Sequence, residues 1–224
     1  MELIIRPAAV ADLPAAARLA VDERGGEHTH WRARLAADLA DQHACLLVAE
    51  TDGRVLAYAR ARRFDPPPDA PANVAPAGYY LAGLLVAPEY RRRGLGERLT
   101  RARMAWTAAR ATEIWFFANA ANRASLLLHQ RLGFREVTRD FTYPGVTFTG
   151  GVGVLCRASL TADRQALPGD GGKALDSRQW RERIAVYHAN AASAGRLAGP
   201  DRDLARRVDP VQGDAGGRLA FEMD

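Results

Sequence analysis

A run of arginine and glycine residues stands where an apolar stretch ends and a helical pattern begins. It follows the apolar segment 79–86 and reads Arg91-Arg92-Arg93-Gly94-Leu95-Gly96. Glycine allows a tight turn and the close approach of a ligand to the backbone. A helix that starts there presents free N–H groups and the positive end of its dipole. Residues 91–96, which we call the arginine–glycine loop, are therefore predicted to form an anion site that would fit a pyrophosphate.

Two other phosphate-binding patterns are excluded by the residues of this loop. No Gly-Lys-Ser/Thr follows the glycines, so the loop is not a P-loop. The first glycine of a dinucleotide-binding fingerprint is replaced by arginine. A glycine pair alone is weak evidence, but here strand, proline, arginine triplet and helix occur in the order that an anion site needs.

A second segment, residues 122–134, gives the loop a more specific meaning. It begins with Asn122, has His129 in its middle and ends with a Gly-Phe pair. Together the two segments resemble the GNAT superfamily of N-acetyltransferases. The family's pyrophosphate loop reads Gln/Arg-x-x-Gly-x-Gly/Ala, and the arginine–glycine loop matches it. The second family segment reads Asn-x-x-Ala-x-x-x-Tyr-x-x-x-Gly-Phe, and residues 122–134 match it except at the tyrosine.

The resemblance covers about residues 2–157 and implies a fold, a cosubstrate and a set of site residues. The fold would be α/β of the α+β type, with a mixed, mostly antiparallel sheet that has a splayed parallel centre and helices on both faces. Acetyl-CoA would be the cosubstrate, and its pantetheine would bond to the backbone near Leu84 and Val86. The Val86 N–H would polarise the thioester carbonyl. The following residues would also contact the cosubstrate: Arg91, Arg92, Arg93, Gly94, Leu95, Gly96, Asn122 and His129.

The proton donor is the point at which this chain departs from the family. His129 stands where the family commonly has a tyrosine as general acid. A phenol, with a pKa near about 10, is fully protonated at pH 7, whereas an imidazole with a pKa near about 6.5 is mostly neutral. His129 could donate from its neutral N–H or as a cation, or it could merely fill the tyrosine's position. The sequence leaves these alternatives open.

The general base is unassigned, and the acceptor is unnamed. Some family members carry a glutamate at a position that aligns with Tyr80, which is a poor base at neutral pH. Glu89 is more simply explained as a solvated charge. Acidic and aromatic residues of the first two helices, in the segment 22–31, would suit a cationic amine if they faced the acceptor, although a solvated helix end explains them as well.

The elements that position these residues follow from hydrophobic periodicity and turn signals. The order is strand, two helices, three strands, helix, strand, helix and two strands, which predicts a mixed sheet with helices on its faces. The predicted strands are 2–6, 44–50, 54–63, 79–86, 113–118, 134–142 and 151–157. The predicted helices are 13–23, 31–41, 94–111 and 122–133. The strand residues Tyr79, Trp115 and Phe116 are expected in the core.

The composition and charge of the chain exclude some classes of function. The 224 residues carry a net charge of +5, all of it in residues 1–158. The arginines are spread out without an aromatic stripe, so no nucleic-acid partner is expected. No apolar run reaches the roughly 18 residues of a membrane span, and the N-terminus is charged too early for a signal peptide. We therefore expect a cytoplasmic protein, and the arginine- and alanine-rich composition suggests a bacterial source.

The chain divides into a predicted acetyltransferase domain, 1–158, and a C-terminal extension, 159–224. The extension holds one predicted helix, 177–194, whose apolar stripe could dock on the domain, cover the acceptor site or contact a second subunit of a homodimer. The predicted function is transfer of the acetyl group of acetyl-CoA to a primary amine of a small molecule or peptide, by direct attack. The alternative is an acyl-CoA-binding sensor or regulatory module with impaired catalysis, since the usual tyrosine and acidic base are missing.

Overall fold

A computed structural model of the protein describes residues 3–148 and 150–160. The predicted C-terminal helix lies outside these residues. The strands are β1 (Ile4–Pro7), β2 (Ala44–Thr51), β3 (Arg54–Phe64), β4 (Gly78–Val86), β5 (Glu113–Asn119), β6 (Arg135–Thr138) and β7 (Gly153–Ser159). The helices are α1 (Leu13–Arg24), α2 (His28–Ala40), α3 (Leu95–Ala108) and α4 (Arg123–Arg131). The predicted order of elements is confirmed.

The seven strands form a mixed sheet in the order β1-β2-β3-β4-β5-β7-β6. All neighbours are antiparallel except β4 and β5, which run parallel and, within the described residues, pair at the single position Tyr80–Trp115. Asp52 and Gly53 close the β2–β3 hairpin with φ values of 48° and 76°, as the two central residues of a tight hairpin turn require. The expected mostly antiparallel sheet with a parallel centre is thereby confirmed.

Helices cover both faces of the sheet. The α3 face carries α3 and α4 over a core that includes Leu84 and Phe116, and the α2 face carries α1 and α2 over a core that includes Leu85. A bulge lies in β4, because Ala59 pairs with Leu84 while Arg60 pairs with Ala82. Gly83, left between them, has a φ of 51°, which glycine adopts without strain.

This bulge changes which residues of β4 face which side of the sheet. Tyr79 and Leu81 face α3 before it, and Leu84 and Val86 face α3 after it. Tyr80, in contrast, packs with Trp115 in a small aromatic cluster. Tyr79 and Trp115 are buried, as is Phe116, so their predicted core position is confirmed.

Besides the end of α3, which lies at Ala108 rather than at residue 111, two predicted boundaries were wrong by three residues or more. The first is the start of α2, which begins at His28 rather than at residue 31, after a glycine pair with positive φ and an extended Glu27. The second is β6, which ends at Thr138, because the Asp140 N–H donates to the Thr138 hydroxyl at 3.0 Å and the backbone of Thr142 then bonds to Asn73 rather than to β7.

Neither cysteine is paired, and no described helix is both long and apolar enough to cross a membrane. Cys45 and Cys156 are buried, as predicted for small apolar core residues. Burial raises the pKa of the Cys45 thiol to about 12 and that of Cys156 to about 11. Both thiols are therefore protonated and unreactive at neutral pH.

Candidate functional site

The parallel strands β4 and β5 separate beyond their one described pair, and the backbone of β4 faces the opening. The Ala87 N–H donates to the Leu56 carbonyl of β3 at 2.8 Å. In an antiparallel ladder the direction of these groups alternates from residue to residue. Leu85 therefore faces β3, while Leu84 and Val86 direct their N–H and C=O groups toward β5. These peptide groups are placed to pair with an extended ligand chain that enters between the strands.

The arginine–glycine loop lies at the carboxyl end of β4, where the opening is widest. Arg92 and Gly94 have φ values of 56° and 78°, and such left-handed residues turn successive N–H groups toward one side, where they form an anion-binding concavity. The first intrahelical bond of α3 joins the Arg98 N–H to the Gly94 carbonyl at 3.0 Å. The N–H groups of residues 95–97 thus have no carbonyl acceptor within the helix.

Arg91 occupies a different place from its two neighbours. Its Nε donates to the Val86 carbonyl at 3.1 Å, and its Nη2 pairs with the Glu23 carboxylate of α1. The side chain therefore anchors the loop to β4 and α1. Arg92 and Arg93 are exposed, and the Arg93 guanidinium lies 5.3 Å from the centre of the Tyr90 ring. These two arginines are the better placed for a phosphate, and contact by Arg91 itself stays a prediction.

Gly94 offers a test of the loop with a matched control. An added Cβ at Gly94 or at Gly133 meets nothing within 4 Å, and the φ values are 78° and 92°. We expect Gly94→Ala and Gly133→Ala each to lower the free energy of unfolding by about 1–2 kcal/mol, from backbone strain alone. Only Gly94→Ala should weaken acetyl-CoA binding, measured by calorimetry. Equal affinities for the two variants would count against the loop as the pyrophosphate site.

Asn122 and His129 lie on α4, on the α3 face of the sheet. The Asn122 side chain accepts the Ser125 N–H at 3.0 Å and caps the helix, a role typical of asparagine at that position. His129 stacks on Phe116 with ring centres 3.6 Å apart and is 1% exposed. Contact of either side chain with a cosubstrate stays a prediction.

The protonation state of His129 follows from its partners. The His129 Nδ1 lies 2.8 Å from the Ser125 carbonyl oxygen, which can only accept, so Nδ1 carries the hydrogen and Nε2 a lone pair. No described atom bonds to the buried Nε2. Burial lowers the pKa of His129 to about 3; the Ser125 carbonyl opposes this shift, and the Arg103 cation adds to it.

These contacts determine whether His129 can donate a proton as a general acid. The imidazolium is a negligible fraction of His129 at pH 7, and the only hydrogen of the neutral ring is bonded to Ser125. To donate from Nε2, the proton would first have to move to that atom. The geometry favours a neutral ring that accepts a hydrogen bond at Nε2, and the acid role stays a prediction.

A cavity of about 250 Å³ opens on the α2 face, beside the bulge of β4. It lies between α2, the strands β3, β4 and β5, and the loop 143–146. Phe117 lines it, while its neighbour Phe116 stacks on His129 across the sheet, because successive strand residues point to opposite faces. The lining includes three arginines, Arg34, Arg60 and Arg62.

The buried ion pair beside this cavity was not predicted from the sequence. Arg60 of β3 pairs with Asp38 of α2, and the two side chains are 3% and 6% exposed. Arg60 Nη2 has no acceptor among the described residues. The sequence signals were Arg60 between two alanines of β3 and an Arg34–Asp38 spacing that puts both residues on one helix face.

Tyr80 and Tyr143 line the cavity, but neither supplies a base at neutral pH. The Tyr80 hydroxyl donates to the Pro76 carbonyl at 2.7 Å. Burial raises the pKa of both phenols above the ordinary value. The acidic residues of the segment 22–31 do not line the cavity; Glu23 pairs with Arg91 instead. Within the described residues, the general base stays unassigned.

The donor set fits two parts of acetyl-CoA, the pantetheine and the pyrophosphate. The outward-facing peptide groups of Leu84 and Val86 match the amides of pantetheine, and the loop N–H groups with Arg92 and Arg93 match a pyrophosphate. Gly96 is close to the strand, since an added Cβ would lie 3.8 Å from the Leu84 Cδ2. The loop and the backbone of β4 therefore form one continuous surface.

Known proteins with solved structures share this architecture. A ribosomal-protein-S18-alanine N-acetyltransferase from Escherichia coli is 19% identical, with 76% of this chain and 98% of that chain covered and a TM-score of 0.51. A phosphinothricin acetyltransferase from Sinorhizobium meliloti, solved with acetyl-CoA, is 18% identical, with 77% and 95% covered and a TM-score of 0.55. A ribosomal-protein-alanine N-acetyltransferase from Brucella melitensis is 24% identical, with 70% and 99% covered and a TM-score of 0.54.

These structures are similar in fold, and no curated protein matches the sequence. The model of the acetyltransferase (GNAT) family matches residues 12–134, which is more than half of the chain. The match includes the arginine–glycine loop and the segment that carries Asn122 and His129. The strand opening and the loop at its carboxyl end agree with it, and the chain belongs to the acetyltransferase (GNAT) family.

Proposed function

We propose that the protein transfers the acetyl group of acetyl-CoA to a primary amine of a small molecule or peptide. The observation that carries this proposal is the opening between β4 and β5, with outward-facing peptide groups at Leu84 and Val86 and the arginine–glycine loop at one end. The cavity on the α2 face lies next to this opening, so an acceptor bound there would lie beside the thioester.

The residues of the chain bind and orient the cosubstrate and polarise its thioester carbonyl. The loop N–H groups with Arg92 and Arg93 hold the pyrophosphate, and the Val86 N–H polarises the thioester carbonyl, a contribution of typically about 3 kcal/mol. The bound cosubstrate supplies an activated acetyl carbon. The amine nitrogen bonds to that carbon while the carbon–sulfur bond breaks and CoA leaves as the thiolate. The amine nitrogen loses a proton to solvent, and the thiolate takes up a proton from solvent. Much of the rate gain comes from orientation.

Removing the loop charges tests this assignment. We expect the double substitution Arg92→Ala and Arg93→Ala to weaken acetyl-CoA binding about tenfold or more, since charge-assisted bonds to phosphate are lost. Binding of S-acetylpantetheine, which lacks the pyrophosphate, should not change. Calorimetry measures both affinities.

The matched control is the double substitution Arg135→Ala and Arg139→Ala. It also removes two positive charges from exposed positions, one in β6 and one just after it. It should leave both affinities unchanged. An equal loss in the two double variants would show a general effect of net charge, and an equal loss for both ligands would contradict phosphate binding by the loop.

The second candidate function is an acyl-CoA-binding module without turnover. Two observations support it. His129 is neutral and its one ring hydrogen bonds to Ser125, so it is not ready to act as an acid, and no general base is assigned. Release of free CoA in the presence of an amine panel separates the two functions. Tight binding of acetyl-CoA with no CoA release from any amine would favour the module.

A further inference from the structure

The cavity on the α2 face is positively charged. Arg34, Arg60 and Arg62 line it, and no carboxylate is among the described residues of its wall. Asp38 lies behind the wall and pairs with Arg60. A surface with excess guanidinium charge disfavours a cationic ligand and favours an anionic one. The cavity therefore does not suit the cationic amines that the acidic residues of segment 22–31 suggested.

Arg60 has hydrogen-bonding capacity that the protein does not use. Its guanidinium carries five N–H donors, and Asp38 accepts at Nε. Nη2 is buried without an acceptor among the described residues. A buried donor in this state is costly, and Arg60 also lines the cavity, so a ligand oxygen that reached Nη2 through a small shift of this side chain would be favoured. A carboxylate or phosphonate has oxygens that match a guanidinium fork.

This arginine also lies next to the part of β4 that faces the opening. Its side chain crosses the bulge, since an added Cβ at Gly83 would lie 3.5 Å from the Arg60 Cδ. Gly83 directly precedes Leu84, whose peptide groups face the opening. An anionic group bound at Arg60 would thus place the rest of a small ligand beside the opening between β4 and β5.

We propose that the acceptor is a small amine that also carries an anionic group, bound by Arg34, Arg60 and Arg62. This substrate class rests on the proposed acetyl transfer. The cavity volume of about 250 Å³ is below the range of about 300–1,000 Å³ typical of drug-sized ligands. The guanidinium groups would also favour the uncharged form of a nearby amine, which is the form that attacks, and no assigned base is then needed.

The test compares matched amines on the full-length protein. Amino acids are paired with their amides, and 2-aminoethylphosphonate is paired with ethanolamine, so that carboxylate and phosphonate form separate arms. Each pair is tested for CoA release and, by calorimetry, for binding to the CoA-loaded protein. We expect the anionic member of at least one pair to have a kcat/KM about tenfold or more above its neutral partner, the effect of one charge-assisted contact.

Two neighbouring arginines of β3 give a matched variant and control. Arg62 is exposed and lines the cavity, whereas Arg63 is exposed, pairs with Asp65 and does not line it. Arg62→Gln should reduce the preference for the anionic member about fivefold to tenfold. Arg63→Gln should leave it within about twofold, because that charge is screened by solvent.

The outcomes separate this substrate class from the proposed function. CoA release with neutral or cationic amines equal to or above their anionic partners would overturn the class and leave acetyl transfer intact. Binding of acetyl-CoA without CoA release from any amine would overturn acetyl transfer. In that case, calorimetric binding of anionic amines that Arg62→Gln weakens would still support the class, and absence of such binding would overturn it.

Discussion

Asp38→Ala should lower the free energy of unfolding by about 3–5 kcal/mol, because it leaves the Arg60 guanidinium buried without its counter-ion. Both side chains of the pair are at least nine-tenths buried, and Arg60 Nη2 already has no acceptor among the described residues. Urea unfolding followed by circular dichroism measures the change.

Asp65→Ala is the matched control for this prediction. It also removes an aspartate that pairs with an arginine of β3, but the Arg63 and Asp65 side chains are 46% and 60% exposed. Exposed ion pairs contribute little, so no measurable change is expected. Adding Arg60→Met to Asp38→Ala should recover part of the lost stability, since the unpaired charge is then removed. Similar small losses at Asp38 and Asp65 would contradict the buried pair.

The local parts of the site could be predicted from the sequence. The arginine–glycine loop and the capped start of α4 are each contained in a few consecutive residues, whose types set the backbone: Gly94 adopts a left-handed conformation, and Asn122 caps the helix. The alternation of apolar residues likewise fixed the order of the strands and helices. The predicted start of a helix was wrong where no capping residue marks it. Glu27 precedes α2 without a side-chain capping bond.

The charge of the cavity on the α2 face could not be predicted, because it depends on which face of the sheet each side chain occupies and on contacts between distant segments. Arg34, Arg60 and the loop 143–146 meet only through the packing of α2 and the turn after β6. The bulge at Gly83 shifts the alternation of β4, so that the sequence period alone assigns Leu84 to the wrong face. Glu23, an apparent acceptor-side carboxylate, instead pairs with Arg91, and no local signal connects these two residues.

Lowering the pH from 7 to 5 should destabilise the wild type by about 2 kcal/mol more than it destabilises His129→Phe. Burial lowers the pKa of His129 to about 3 in the folded protein, while an imidazole in the unfolded chain has a pKa of about 6.5. The unfolded state therefore binds the extra proton first as the pH falls. The stabilisation by the neutral ring is complete above pH about 6.5 and is lost at about 1.4 kcal/mol per pH unit below it, down to the folded pKa.

Urea unfolding at pH 7, 6 and 5 measures this difference, and subtraction of the His129→Phe curve removes the titration of the carboxylates common to both proteins. Phenylalanine keeps an aromatic ring against Phe116, so the variant should fold. Parallel curves for wild type and His129→Phe would show that the ring protonates within the fold.

A neutral His129 that donates to Ser125 has no proton to give at Nε2, so we also expect the pH profiles of kcat/KM for wild type and His129→Phe to run parallel. A profile that changes shape in His129→Phe would restore the acid role, because only a ring that exchanges protons during turnover contributes an ionisation to the rate.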